Sequence, residues 1–192
     1  MKKIPVLFER TFKDNHVVEL TRTVHPGMEW VLNGEGVATV KWDGSCCAFF
    51  DGLFWKRFDA KPGRKIPVGA IKCCDPDPVT GHWPHWVPVD KDTAEDKWFS
   101  RAKENYLDKY GFLYDGTYEA IGRHFNGNPY GMQEDTLVRH GMDFVYPERS
   151  FDGLYNFLHD NKIEGIVFWR NGYPQCKIRR KDFGLRWPAK EG

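Results

Sequence analysis

Lys41 stands two residues before Asp43-Gly44, inside the stretch ATVKWDGSCCAFF. Its neighbours Val37, Ala38, Val40 and Trp42 suit a buried strand, so a lysine there asks for a reason. One reason is plain: Asp-Gly is turn chemistry, and a strand lysine is commonly solvated. The other is chemical, and it depends on which groups converge on the amine.

A second cluster of charge lies in IEGIVFWRNGYPQCKIRR. Pro174 cannot sit in a central strand, so Asn171 to Pro174 reads as a four-residue loop of a hairpin, and a two-residue Asn-Gly loop would give the same parity where a three-residue loop would not. Arg170 then faces Gln175, Phe168 faces Lys177 and Ile166 faces Arg179. With side chains alternating at period two, Glu164, Ile166 and Phe168 share a face with Lys177 and Arg179. One carboxylate and two cations on one face could be a cross-strand charge pair and nothing more. They could equally serve an anionic ligand and its metal.

The elements that must position these residues are legible in outline. Residues 36–58 read as strands, with Asp51-Gly52 a hairpin turn between CCAFF and LFWKRF. Residues 62–90 hold six of the twelve prolines, so CCDPDPVTGHWPHWVPV is expected to be a long ordered loop or covering flap. Trp98, Phe99, Ala102, Tyr106 and Tyr110 recur at helical spacing within 94–111, with Gly111 as the stop. GTYEAIG (116–122) reads as a short strand, FNGNPYG (125–131) as turn chemistry, and 150–161 as a helix capped by Ser150. The expected class is α+β, with mostly antiparallel sheets and flanking helices.

Taken in order, KWDG, the glutamate of YEAIG, EGIVF and KIR resemble the covalent nucleotidyltransferase superfamily of RNA ligases, DNA ligases and capping guanylyltransferases. KWDGSCC, KRFDAKPG, DPDPVTGHWPHWVPV, GTYEAIGRHFNGNPYG and LVRHG are similar to a small group of ATP-dependent RNA ligases that includes the vertebrate cytosolic enzyme. The final KIR departs from the superfamily's commoner Lys-x-Lys, keeping the charge but changing the second contact. The fold implied is an adenylation domain of the ligase and capping-enzyme type.

The reaction implied joins 5′-phosphate and 3′-hydroxyl RNA ends with ATP, through a lysyl-AMP and then an RNA-adenylate. Lys41 would be the nucleophile. A free lysine has a pKa of about 10.4, so presenting its amine neutral at pH 7 costs roughly 4–5 kcal/mol. Apolar burial and nearby positive charge lower that cost. Lys177 is the candidate for the α-phosphate, with Arg179 beside it. Glu164 is the candidate ligand for Mg²⁺, with Mn²⁺ able to substitute, since Mg²⁺ prefers carboxylate and water oxygens. By resemblance, Glu119 holds the ribose hydroxyls, Arg57 contacts the nucleotide or the RNA end, and Asp43 and Gly44 complete the nucleotide motif. Asp43 could equally be a turn residue. Phe144 is the candidate to stack on adenine, with Phe125 and Tyr146 competing.

Other readings remain. A capping-type guanylyltransferase would use GTP, and a catalytically silent module would bind nucleotide or RNA without the adduct. Cys73, Cys74, His82 and His85 are close enough in sequence to suggest zinc, but adjacent cysteines chelate poorly compared with Cys-x-x-Cys.

The bulk numbers frame this. With 192 residues, one domain spanning 1–192 is expected. Only PAKEG follows KIRRKDFGLRW, so a domain without a C-terminal OB-fold is expected. Charged residues make up 29% and aromatics 16%, as in a globular chain with aromatic faces to spare. Net charge is +1, so RNA contact would fall to local basic stretches at 56–65 and 177–186, each of which could also be a solvated face. The N-terminus lacks the apolar core of a signal peptide, and no segment approaches a membrane span. Five cysteines, four of them in adjacent pairs, do not form a secreted disulfide framework. A reduced, cytoplasmic protein is expected.

Overall fold

A computed structural model describes residues 3–13, 16–78 and 80–188. In chain order the strands are β1 (Phe8–Lys13), β2 (His16–Val24), β3 (Val37–Lys41), β4 (Ser45–Phe50), β5 (Leu53–Ala60) and β6 (Ile71–Lys72). They continue with β7 (Trp83–Pro88), β8 (Gly116–Ile121), β9 (Thr136–Arg139), β10 (Phe144–Val145), β11 (Gly165–Arg170) and β12 (Tyr173–Arg179). The α-helices are α1 (Lys97–Tyr110) and α2 (Phe151–Asp160). Every pairing between these strands is antiparallel, and the class is α+β as expected.

Contacts divide the chain into two compact units, one built on Asp43–His140 and the other on Ile4–Trp42 with Gly141–Gly192. The change of unit falls inside the Lys-Trp-Asp-Gly motif. Strand β3 ends at Lys41, so Asp43-Gly44 closes no hairpin and Asp43 does not continue the strand face of Lys41. Gly44 instead passes so close to β8 that a Cβ there would stand 2.1 Å from Ala120 O.

The first unit carries a six-stranded sheet in the order β6-β7-β5-β4-β8-β9. Cys47, Phe54, Tyr118, Ala120 and Leu137 line one face and pack under α1 through Phe99, Ala102 and Tyr106. Gly111 ends α1 in the left-handed conformation, as its position predicted. Asp51 and Gly52 both take positive φ, 53° and 71°, which makes the β4–β5 turn the type whose twist suits a hairpin. The proline-rich segment is not a loop throughout, because β7 pairs with β5 from Trp83 to Pro88. Two prolines fit there because backbone direction alternates. Val89 N donates to Phe54 O, so residues 84, 86 and 88 turn toward β6, a strand of only two residues.

The second unit pairs β1 with β2 and builds a four-stranded sheet in the order β10-β3-β11-β12. Ala38, Ile166, Phe168, Cys176 and Ile178 form its buried face, packed with Leu154 and Leu158 of α2 and with Leu7 and Phe8. Ser150 caps α2, its Oγ accepting from Gly153 N at 2.9 Å.

The β11–β12 hairpin differs from the expected register. Asn171 and Gly172, at φ 53° and 77°, make a two-residue turn with Arg170 opposite Tyr173. An irregularity between Phe168 and Trp169 then shifts β12 by one residue. Lys177 therefore faces Val167, and Arg179 faces Gly165. Ile166 and Phe168 lie on the opposite, fully buried face with Ile178 and Cys176. A one-residue shift flips every side chain, and apolar burial decides the register.

Candidate active site

In the second unit, β3 runs beside β11 with Lys41 opposite Gly165 and Thr39 opposite Val167. That register puts Lys41 on the face of Val167, and hence of Lys177 and Arg179. Glu164, just before β11, turns its carboxylate to the same place, and its Oε2 pairs with Lys41 Nζ. Gly165 makes the strands' approach possible, since a Cβ there would lie 2.4 Å from Ile178 O. The expected convergence of Glu164, Lys177 and Arg179 is present, then, but around Lys41 and Val167 and not around Ile166 and Phe168.

The cations on this face are held differently. Burial above all, then Arg179 and Lys41, pushes the Lys177 ammonium down to about 8. The backbone of Lys177 is pinned by the N-terminal segment: its N–H donates to Pro5 O at 3.0 Å and its carbonyl accepts from Leu7 N at 2.8 Å. Arg179 makes a two-pronged contact with Asp182, Nε to Oδ2 at 3.0 Å and an amino group to Oδ1 at 2.9 Å. Arg10 of β1 joins the same carboxylate. Burial alone would raise Asp182, but Arg179 and Arg10 together hold it below the usual carboxylate range.

Phe144 pairs with Thr39 and so belongs to the face of Lys41, where it is 49% exposed. Phe125 is 4% exposed and packed under α1, so it cannot stack on a base. Tyr146, 89% exposed, lies beyond β10.

In the first unit, Glu119 pairs with Cys46, and Arg57 pairs with Trp86. Both charged side chains lie on the sheet face away from α1, with Trp55, Trp86 and Phe50. Glu119 Oε1 accepts from Gly44 N at 3.1 Å, and Oε2 lies 3.0 Å from His140 Nε2. Arg57 Nε donates to Asp59 Oδ1 at 2.9 Å. Asp43 is doubly tied: its N–H donates to the Tyr130 hydroxyl at 2.7 Å, and Oδ1 accepts from Asn126 Nδ2 at 2.8 Å. Asn126 also donates to Gly44 O at 2.7 Å.

His140, Asn126, Tyr130 and Asp182 were not singled out from the sequence. His140 lies in LVRHG, and Asn126 and Tyr130 in FNGNPYG, so their stretches were marked but their roles were not. Nothing local marks Asp182.

Some of the basic residues are used internally. Lys56 pairs with Asp96, and Arg180, almost fully buried, donates to backbone carbonyls including Asn161 O at 3.0 Å. Lys61, Arg64 and Lys65 remain exposed in a turn. All five cysteines are free thiols. His85, weighed as a zinc ligand, is buried with Nδ1 2.8 Å from Trp83 O. Among the described residues no group of three or more His, Cys, Asp or Glu could hold a metal ion. No described helix is long and apolar enough to cross a membrane.

Fold and site together define an α+β protein with a lysine, a carboxylate and further cations on one sheet face. A family model described as RNA ligase 1 matches residues 108–192, which include Glu119, Phe144, Glu164, Lys177 and Arg179. The chain is also similar to vertebrate proteins named RNA ligase 1. That of Pongo abelii is 25% identical over 222 residues, covering 79% of this chain and 68% of the relative. Those of Mus musculus and Danio rerio are each 27% identical with the same coverage. These are the group that the motifs resemble.

Proposed function

We propose that this protein is an ATP-dependent RNA ligase of the covalent nucleotidyltransferase type, joining 5′-phosphate and 3′-hydroxyl ends. The observation that carries the reading is the Lys41–Gly165 register, which sets Lys41 against Glu164 on the face of Lys177 and Arg179. Similarity to proteins named RNA ligase 1 supports it.

In the first step the Lys41 Nζ lone pair attacks the α-phosphorus of ATP. A P–N bond forms, the bond to the β-phosphate oxygen breaks, pyrophosphate leaves, and the amine proton passes to solvent. Lys177 offsets the charge growing on the α-phosphate. Mg²⁺, held by Glu164, would supply further charge neutralisation at the phosphates. Glu119 takes the ribose hydroxyls, Phe144 stacks on adenine, and Arg57 contacts the nucleotide or the RNA end. AMP then moves to the RNA 5′-phosphate, and the 3′-hydroxyl displaces it. Lys61, Arg64 and Lys65 are the exposed cations best able to grip RNA phosphates, so sealing should weaken steeply with salt.

The test is incubation with labelled ATP or GTP and Mg²⁺, denaturation, and detection of label on the protein. Labelling by ATP is expected; labelling by GTP alone would favour the capping-type reading, and an unlabelled protein the silent module. Sealing is expected for RNA and weak when the terminal 3′ nucleotides are deoxy, because the 2′-hydroxyl distinguishes the two. Equal rates on all-RNA and all-DNA ends would overturn the RNA assignment and leave the adenylylation chemistry standing.

A further inference from the structure

Glu119 is held before any ligand arrives. Its side chain is largely buried, and each carboxylate oxygen has one partner, Gly44 N at 3.1 Å and His140 Nε2 at 3.0 Å. An ionised carboxylate only accepts, so Nε2 must carry a hydrogen. The other ring nitrogen, Nδ1, lies 3.0 Å from Thr117 Oγ1. A hydroxyl can donate to a bare Nδ1 or accept from a protonated one, so Thr117 matches either state of the ring. The imidazole is thus fixed at both ends. Thr117 and Glu119 are two residues apart on β8 and share its face, and His140 follows β9, with its N–H donating to Thr117 O at 3.1 Å.

A carboxylate has about four acceptor positions, two on each oxygen. Using one on each leaves one on each, the number that two vicinal hydroxyls would need. A carboxylate free to rotate would spend part of its interaction energy on being ordered; one held at both oxygens would not.

We infer that His140, oriented by Thr117, is a positioning residue that aims the Glu119 carboxylate and sets the preference for a ribonucleoside over a 2′-deoxyribonucleoside triphosphate. This deepens the proposed role of Glu119 and rests on it. His140 acts through Glu119 and needs no contact with the nucleotide.

Binding of ATP and of 2′-deoxyadenosine triphosphate to the purified full chain, measured by titration calorimetry, tests this without requiring the adduct. The wild-type protein should bind ATP at least ~10-fold tighter, the size of one hydrogen bond to a charged group. His140→Ala should weaken ATP binding about 10-fold, leave 2′-deoxyadenosine triphosphate within about 3-fold, and so erase most of the preference. His140→Gln places an amide N–H near the position of Nε2 and should restore most of it. Thr117→Val, which keeps the shape and removes the hydroxyl, should fall between. In single-turnover labelling of Lys41, His140→Ala should raise the half-saturating ATP concentration and change the maximal rate by less than about 3-fold. A His140→Ala protein that melts like wild type and keeps the full preference would overturn the inference. So would a wild type without preference, or equal losses for the two nucleotides. If nucleotide binding and its His140 dependence hold while no label reaches Lys41, the inference stands and the ligase reading falls.

Discussion

The two sheets use the same plan and hold their polar faces by different forces. Each covers one face with a helix, α1 over Tyr118 and Ala120, α2 over Ile166 and Phe168. The other face of the four-stranded sheet is ionic: Lys41 against Glu164, Arg179 and Arg10 against Asp182, and Lys177 half-buried beside them. The other face of the six-stranded sheet fixes its carboxylate with a backbone N–H and an imidazole, and its Asp43 with a phenol and an amide. A lost partner on the ionic face leaves an unmatched charge, which costs more than a lost hydrogen bond between neutral groups. Substitutions that remove a charged partner from the ionic face should therefore change rate and stability together. Those on the hydrogen-bonded face should change affinity and leave stability nearly alone.

The largest effect belongs to Lys41. Lys41→Arg keeps a cation for Glu164 but presents a guanidinium that does not deprotonate, so the covalent adduct should vanish while the melting temperature holds. Lys41→Ala should also abolish the adduct, and in addition lose about 1–3 kcal/mol of stability, because the nearly buried Glu164 carboxylate loses the Lys41 ammonium. Intact mass and thermal melts read the two outcomes. An adduct of normal yield on the Arg variant would remove Lys41 from the chemistry.

Lys177 comes next. Lys177→Ala should slow adenylylation by about 10², the cost of one oriented charge contact. The pH response should have two parts. The folded ammonium titrates at about 8 and the unfolded one at 10.5. Charge on Lys177 is lost above about pH 8 in the free protein, so the rise of the apparent second-order labelling rate with pH should break and level off there. Between about pH 8 and 10.5 the unfolded chain binds the extra proton, so the Lys177 contribution to stability becomes more favourable as pH rises through that window. Lys177→Arg should remove both. A labelling rate that rises without a break from pH 7 to 9.5 would show that the charge on Lys177 is not what the first step uses.

What the sequence disclosed, and what it withheld, follows the same division. Short-range signals were legible: Gly111 ending α1, Ser150 capping α2, Asp51-Gly52 closing β4–β5. Each depends on a few adjacent residues. The cations on the ionic face were legible too, because strand alternation brings Lys177 and Arg179 together whatever the partner strand. The side they share was not, since the register irregularity near Phe168 and Trp169 carries no local mark and reverses parity. The strand at 83–88 was hidden by Pro84 and Pro88, which are tolerated only because their backbone turns toward the short β6. Partners drawn from far along the chain, such as Asp182 for Arg10 and Asn126 for Asp43, are products of topology.

Base stacking offers a sharper test on the ionic side. Phe144 shares the face of Lys41 and is half exposed, so it supports no core. Phe144→Ala should weaken ATP binding about 10-fold, within the range for loss of one aromatic–base stack, with little change in melting temperature. Phe125→Ala should do the reverse, costing about 3–5 kcal/mol of stability through the cavity left under α1, with any loss of binding following from that. Tyr146→Ala should change neither. If Tyr146→Ala weakens binding and Phe144→Ala does not, the stacking role moves to Tyr146.

The smallest effect is expected at Asn126, where the hydrogen-bonded face is most exposed. Its amide donates to Asp43 Oδ1 at 2.8 Å and to Gly44 O at 2.7 Å, bracing the residues just after Lys41-Trp42. Asn126 itself sits at φ +45°, which an alanine would resist, so Asn126→Ala would mix backbone strain with the loss of the amide. Asn126→Gly keeps the backbone accessible and removes only the two bonds. Hydrogen bonds near solvent are worth about 0.5–1.5 kcal/mol each at most, and water can replace part of that. Labelling of Lys41 should therefore slow only about 2–5-fold in the Gly variant, with melting almost unchanged and with the preference for ATP over 2′-deoxyadenosine triphosphate retained, since Glu119 keeps Gly44 N and His140. A loss as large as that of Lys177→Ala would mean that the placement of Asp43-Gly44, and not charge on the Lys41 face, limits the first step, and the contrast drawn between the two faces would have to be reversed.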